Sequence, residues 1–108
     1  MNKSLFAWTS LIIAGVAEVI WAYYLKNSQG FTVLFPSLMF FIFAFISFAF
    51  LGIAVKYIPI SISYPIWTGI GAVGTIILGA VFFGEAITLF SALFLLMIII
   101  GIIGLKLS

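Results

Sequence analysis

An all-α integral membrane protein of four transmembrane helices is the fold class this sequence predicts, and three observations predict it. Of the 108 residues, 67% are hydrophobic and 6% charged, whereas a soluble domain is about a quarter charged. The apolar residues gather into four runs of about 20, the length a helix needs to cross a hydrocarbon core of about 30 Å. Only a few residues join one run to the next, so neighbouring helices are antiparallel and residues 1–108 form a single four-helix transmembrane domain. Strands are the poorer alternative, because backbone in lipid must satisfy its own hydrogen bonds and the turns are too few for a closed barrel.

The first span is expected at about residues 5–25 and ends at the polar Lys26-Asn27-Ser28-Gln29-Gly30. Lys3 before an apolar stretch, with the small-x-small Gly15-Val16-Ala17, has the outline of a cleavable signal. Apolar sequence nevertheless continues through Val19-Ile20-Trp21-Ala22, which makes the run long enough to span. The second span, about 33–55, carries Pro36 near its start, where a missing N–H does little harm. It ends at Lys56, with Tyr57 where an interfacial aromatic is favoured. The third, about 60–83, opens with Ile60-Ser61-Ile62-Ser63-Tyr64-Pro65-Ile66-Trp67. In it Gly71, Thr75 and Gly79 make a four-residue stripe suited to close helix approach, and Gly69 and Gly71 after Pro65 are candidates for a bend. The fourth, about 87–105, has no charge in its interior, and Gly101 and Gly104 suggest a contact face, which suits packing or dimerisation better than chemistry.

Four spans put both termini on one side, with Lys3, Lys56 and Lys106, while Lys26 and Glu85 fall on the other. The positive-inside rule therefore favours cytoplasmic termini by three lysines to one. One relocated lysine nearly erases that bias, so insertion in both orientations is within reach.

The ionisable side chains other than phenols are Lys3, Glu18, Lys26, Lys56, Glu85 and Lys106. With no His or Cys, the ligands of most zinc sites, the triads of hydrolases, thiol redox chemistry and disulfides are excluded. No metal or cofactor is expected, and one interior carboxylate without His, Cys, Asp or Arg is little equipment for an enzyme. The lysines are scattered and form no basic stripe, so nucleic acid is not an expected partner.

Glu18 stands apart from the other five. It lies about three residues past the middle of the first span, within roughly 5 Å of the bilayer centre. An acidic residue there costs about 2.5–3.5 kcal/mol on insertion scales, and every Lys of this chain sits near a span end. One reading is a protonated, hydrogen-bonded carboxyl that ties helices together. The other is a site where a proton and an organic cation compete for one carboxylate. Leu11, Ala14, Gly15, Trp21 and Ala22 share its helix face at offsets of three, four and seven residues.

Three further residues each keep two readings. Trp21 is either a plain membrane aromatic or an N–H donor to the site. Ser47 is the one polar side chain between Leu38 and Val55, and a lone Ser often bonds its own helix carbonyl. Tyr64 and Trp67, three apart on one face, either belong to an interfacial belt or turn their polar tips inward.

Taken together, Gly15-Val16-Ala17-Glu18-Val19, Gly30-Phe31-Thr32, the run from Tyr64 to Gly71 and Phe82-Phe83-Gly84-Glu85, set in four short spans, resemble the small multidrug resistance family of bacterial transporters. The resemblance covers essentially the whole chain. It implies a multi-pass protein of the bacterial inner membrane that assembles as an antiparallel, dual-topology homodimer. In that dimer two copies of Glu18 form one site for proton-coupled export of small organic cations. Trp21, Ser47, Trp67-Thr68-Gly69-Ile70-Gly71-Ala72 and Gly101-Ile102-Ile103-Gly104-Leu105-Lys106 look like the guanidinium-exporting subtype. On that resemblance Glu18 is the proton and substrate carboxylate, Trp21, Ser47, Tyr64 and Trp67 line or orient it, and Gly15 gives room beside it. Pro65 departs from the family, which commonly has Ala there, and it frees the carbonyl of Ser61. Two other functions stand beside guanidinium export: a quaternary-ammonium or multidrug exporter on the same scaffold, and a structural or regulatory subunit of a heterodimer.

Overall fold

The computed structural model describes residues 2–108 and contains four helices in chain order: α1 (Lys3–Asn27), α2 (Leu34–Val55), α3 (Ile60–Phe82) and α4 (Leu89–Leu107). All four are long and apolar enough to cross a membrane. Hydropathy marks the edge of the oily layer, whereas a helix continues until something caps it, and this explains where the observed ends differ from the expected spans. At the start of α1 the Asn2 side chain accepts the Ser4 N–H at 2.7 Å, and at its far end the helix runs on through the polar Lys26 and Asn27. Conversely, Ile87 lies outside α4, because Thr88 is the N-cap and accepts the Ser91 N–H at 3.1 Å.

The turns are short and internally bonded. After α1, Gln29, Gly30 and Phe31 all have left-handed φ angles of 49°, 73° and 66°, a conformation that costs a residue with a side chain roughly 1–2 kcal/mol. Ser28 holds this turn: its hydroxyl donates to the Leu25 carbonyl at 2.7 Å and accepts the Phe31 N–H at 3.2 Å. Between α2 and α3, Ile58 is buried and Pro59 caps α3. After α3, Gly84 turns left-handed with φ 65°, and the Gly79 carbonyl accepts the N–H groups of both Phe83 and Glu85, at 3.1 and 3.0 Å.

α1 is the central element and packs along both α2 and α3, while α4 backs onto α3. The buried core sets Ala7, Leu11 and Ala14 of α1 against Leu51, Ala54, Ile66 and Trp67. In lipid, where apolar contact has no water to escape, small residues hold helices by letting backbones approach. Large side chains turn outward instead: Phe35, Phe41, Phe45 and Phe48 of α2 are all exposed.

α3 runs unbroken through Pro65. That proline occupies the sixth position of the helix, beyond the first turn, so the Ser61 carbonyl loses its ordinary helical partner. The two glycines beyond it serve different neighbours. Gly69 faces α4, where an added Cβ would lie 2.9 Å from Ile102 Cδ1, and Gly71 faces α1.

The half-buried residues of α4, Ser91, Leu95, Ile98, Ile102 and Leu105, repeat at intervals of four and three and form its face toward α3. Gly101 and Gly104 lie off that face, exposed, and a Cβ on either would meet nothing within 4 Å. Among the described residues α4 has no buried member.

Candidate functional site

The candidate site lies where α1, α2 and α3 converge beside Glu18. The half-buried Glu18 side chain crosses to α3 and lies on the bare Cα of Gly71, so closely that an added Cβ would fall on the carboxyl group itself. Any larger residue at Gly71 would occupy the carboxylate's position. Among the described residues the Glu18 carboxyl makes no hydrogen bond or ion pair.

One turn earlier a three-helix relay fixes the α1 backbone. The Trp67 indole N–H of α3 donates to Ser47 Oγ of α2 at 3.0 Å, and Ser47 in turn donates to the Ala14 carbonyl of α1 at 2.7 Å. Both side chains are buried. In a helix that carbonyl is also the acceptor for the N–H four residues on, which is that of Glu18. Ser47 therefore bonds a neighbouring helix, not its own, and the two donors act on the backbone that carries Glu18 instead of on its carboxyl.

The remaining residues named from the sequence surround this core. Tyr64 is exposed and stands beside Trp67, with ring centres 5.4 Å apart, and the Phe48 ring also contacts Trp67 at 5.2 Å. Trp21, one turn beyond Glu18, packs edge-on to Phe40 at 5.4 Å. Its indole N–H is buried and has no hydrogen-bond partner among the described residues. A buried donor without an acceptor costs about 1–3 kcal/mol. The space beside Gly15 is taken by Ile70 of α3, whose Cβ would lie 2.8 Å from an added Gly15 Cβ. Gly15 thus lets α3 come close enough for Gly71 to reach Glu18.

The stripe of Gly71, Thr75 and Gly79 faces α1 and does more than pack. Gly71 seats Glu18, and Gly79 seats the Glu85 carboxyl. Thr75 between them bonds its own helix, donating to the Ala72 carbonyl at 3.1 Å. Gly101 and Gly104 lie far round α4 and take no part in this cluster.

Three features were not singled out from the sequence. Ala14, which shares the Glu18 face, acts through its main-chain oxygen, a role for which a sequence carries no signal. Gly74 admits Val19 of α1 and belongs to the same glycine-rich stretch as Gly71. The Lys26–Glu85 ion pair, 3.4 Å long, joins residues 59 apart. Its signal was the matching four-residue spacing of Glu18, Ala22 and Lys26 on α1 against Gly71, Thr75 and Gly79 on α3.

Known proteins point the same way. The family model described as Small Multidrug Resistance protein matches residues 6–99. A Guanidinium exporter of Yersinia pseudotuberculosis is 50% identical over 102 residues, covering 94% of this chain and 98% of the relative. Its namesake in Proteus vulgaris is 46% identical over 102 residues, with the same coverage. The Guanidinium exporter of Escherichia coli K12 is 45% identical over 102 residues, covering 94% of this chain and 97% of the relative.

Proposed function

The chain belongs to the small multidrug resistance family, and from that premise we propose that it is a proton-coupled exporter of guanidinium and small guanidinyl cations in the bacterial inner membrane. The observation that carries the reading is Glu18: a carboxyl in the interior of a membrane-spanning helix, laid on Gly71, with no cationic partner among the described residues. A carboxylate at that depth needs a counter-cation or a proton. Exchange follows from that requirement, since one carboxylate holds either a proton or a substrate cation and each displaces the other.

Guanidinium suits such a site, because it is planar and its paired N–H donors match a carboxylate in a two-pronged fork. The chain brings one interior carboxylate, so a clamp of two requires a second copy. An antiparallel homodimer supplies it, and the outward- and inward-facing states of such a pair are then near-equivalent, as in an inverted repeat made of two chains. The relay from Trp67 through Ser47 to Ala14 holds the α1 backbone at the position Glu18 depends on.

The test is proton-coupled flux in proteoliposomes, with guanidinium and with a tetraalkylammonium ion. Guanidinium should move against protons. Transport of the bulky cation without guanidinium would overturn the substrate assignment in favour of the quaternary-ammonium reading.

A further inference from the structure

The chain has two acidic residues, and both lie on the same face of α3. Glu18 crosses Gly71 and Glu85 crosses Gly79, eight residues or about 12 Å further along the helix. Glu85 is held there twice, by its carboxyl against Gly79 and by its N–H on the Gly79 carbonyl at 3.0 Å. Its carboxylate already holds a cation: Lys26 Nζ stands 3.4 Å from Glu85 Oε2 and 5.6 Å from the centre of the Phe83 ring. A cavity of about 130 Å³ opens beside this pair, lined by Ala22, Lys26, Thr75, Gly79, Phe83 and Glu85. Ala22 and Thr75 are each one turn from Glu18 and Gly71, so the cavity adjoins the central site along the α1–α3 seam.

Lys26 and Glu85 side chains are 58% and 57% exposed, and an ion pair that open is worth about 0–1 kcal/mol. The ammonium is therefore displaceable. It is also a poorer match than guanidinium for a carboxylate beside an aromatic ring, since a lysine is a point charge that neither forks nor stacks.

We propose that Glu85, with Phe83 and the seat at Gly79, is a second, peripheral cation subsite. It takes guanidinium and other small planar cations, and Lys26 is the resident cation that substrate displaces on its way to or from Glu18. The inference rests on the guanidinium-export reading.

Steady-state flux through the full-length protein in proteoliposomes tests it. Glu85→Gln should raise KM for guanidinium about three- to tenfold, with the loss confined to KM, as expected when binding shared by ground and transition states is removed. Lys26→Gln should lower KM about two- to fivefold by vacating the carboxylate. Lys56→Gln, which removes a charge at the opposite end, should leave KM unchanged. An unchanged KM in Glu85→Gln overturns the subsite. A rise in Lys26→Gln equal to that in Glu85→Gln overturns it too, since the pair would then be only a clasp, and so does a fall in Lys56→Gln equal to that in Lys26→Gln, which would mean a general charge effect.

Calorimetric titration of Glu18→Gln with guanidinium keeps the question decidable should the Glu85 variant fold poorly. Residual weak binding is expected there and should vanish in Glu18→Gln/Glu85→Gln, whereas no binding in the single variant refutes the proposal. The wild-type flux separates the two readings: no guanidinium transport at all defeats the export assignment, while normal wild-type flux with an indifferent Glu85→Gln defeats the subsite alone.

Discussion

Glu18 and Gly71 work as one unit, since the carboxyl of the first occupies the space where a side chain of the second would begin. Glu18→Gln keeps the shape and removes the exchangeable charge. It should abolish proton-coupled guanidinium flux and leave the helical circular dichroism of the purified protein intact; robust coupled flux in that variant would refute the role given to Glu18. Gly71→Ala makes the complementary change. The methyl group displaces a flexible carboxyl, not backbone, so the helices should stay packed while transport falls by about tenfold or more, a loss of about 1.4 kcal/mol. An unaltered rate would show that the carboxyl does not need its seat. The first half of this unit was readable from charge placement alone, because five of the six charged side chains belong to span ends. The second was not: a glycine stripe announces close approach without saying which atom arrives.

At the scale of the helices, the relay from Trp67 through Ser47 to Ala14 couples α3, α2 and α1 by side chains that are all buried. Ser47→Ala leaves the Trp67 N–H without its acceptor and should cost about 1–3 kcal/mol in reversible unfolding from mixed micelles. Trp67→Phe should be non-additive with it, with a coupling energy of about 1 kcal/mol. Strict additivity would mean that the two side chains are merely neighbours. Sequence pattern identified Ser47 and Trp67 as polar groups in need of partners, yet their acceptor is a carbonyl, and every residue has one. The same limit applies to helix ends. The apolar runs located the four helices, whereas Asn2 and Thr88 moved the ends by side-chain caps that hydropathy does not weigh. The Lys26–Glu85 contact depends on Gly84 folding the chain back over Gly79, which is a matter of backbone angles and not of hydrophobic period.

For the whole molecule, the exposed face of α4 is where we propose that a second copy packs. This helix leans on α3 with one half-buried face, and its Gly101 and Gly104 lie exposed on another. A Cβ added at either position meets no atom of its own chain within 4 Å. Gly101→Phe should therefore leave the monomer folded while reducing the dimer fraction counted by single-molecule photobleaching, and with it the flux. A dimer fraction equal to the wild type would place the subunit contact elsewhere. If the partner is a second copy in the opposite orientation, the bare face of α4 has a consequence in genetics. Copies made in one cell draw on a common pool of partners, so a damaged allele is not silent beside a sound one. With Glu18→Gln and normal chains expressed equally and pairing at random, about a quarter of the dimers keep both carboxylates. Guanidinium tolerance would then be inherited as a dominant defect, through a helix that carries no charged group of the site.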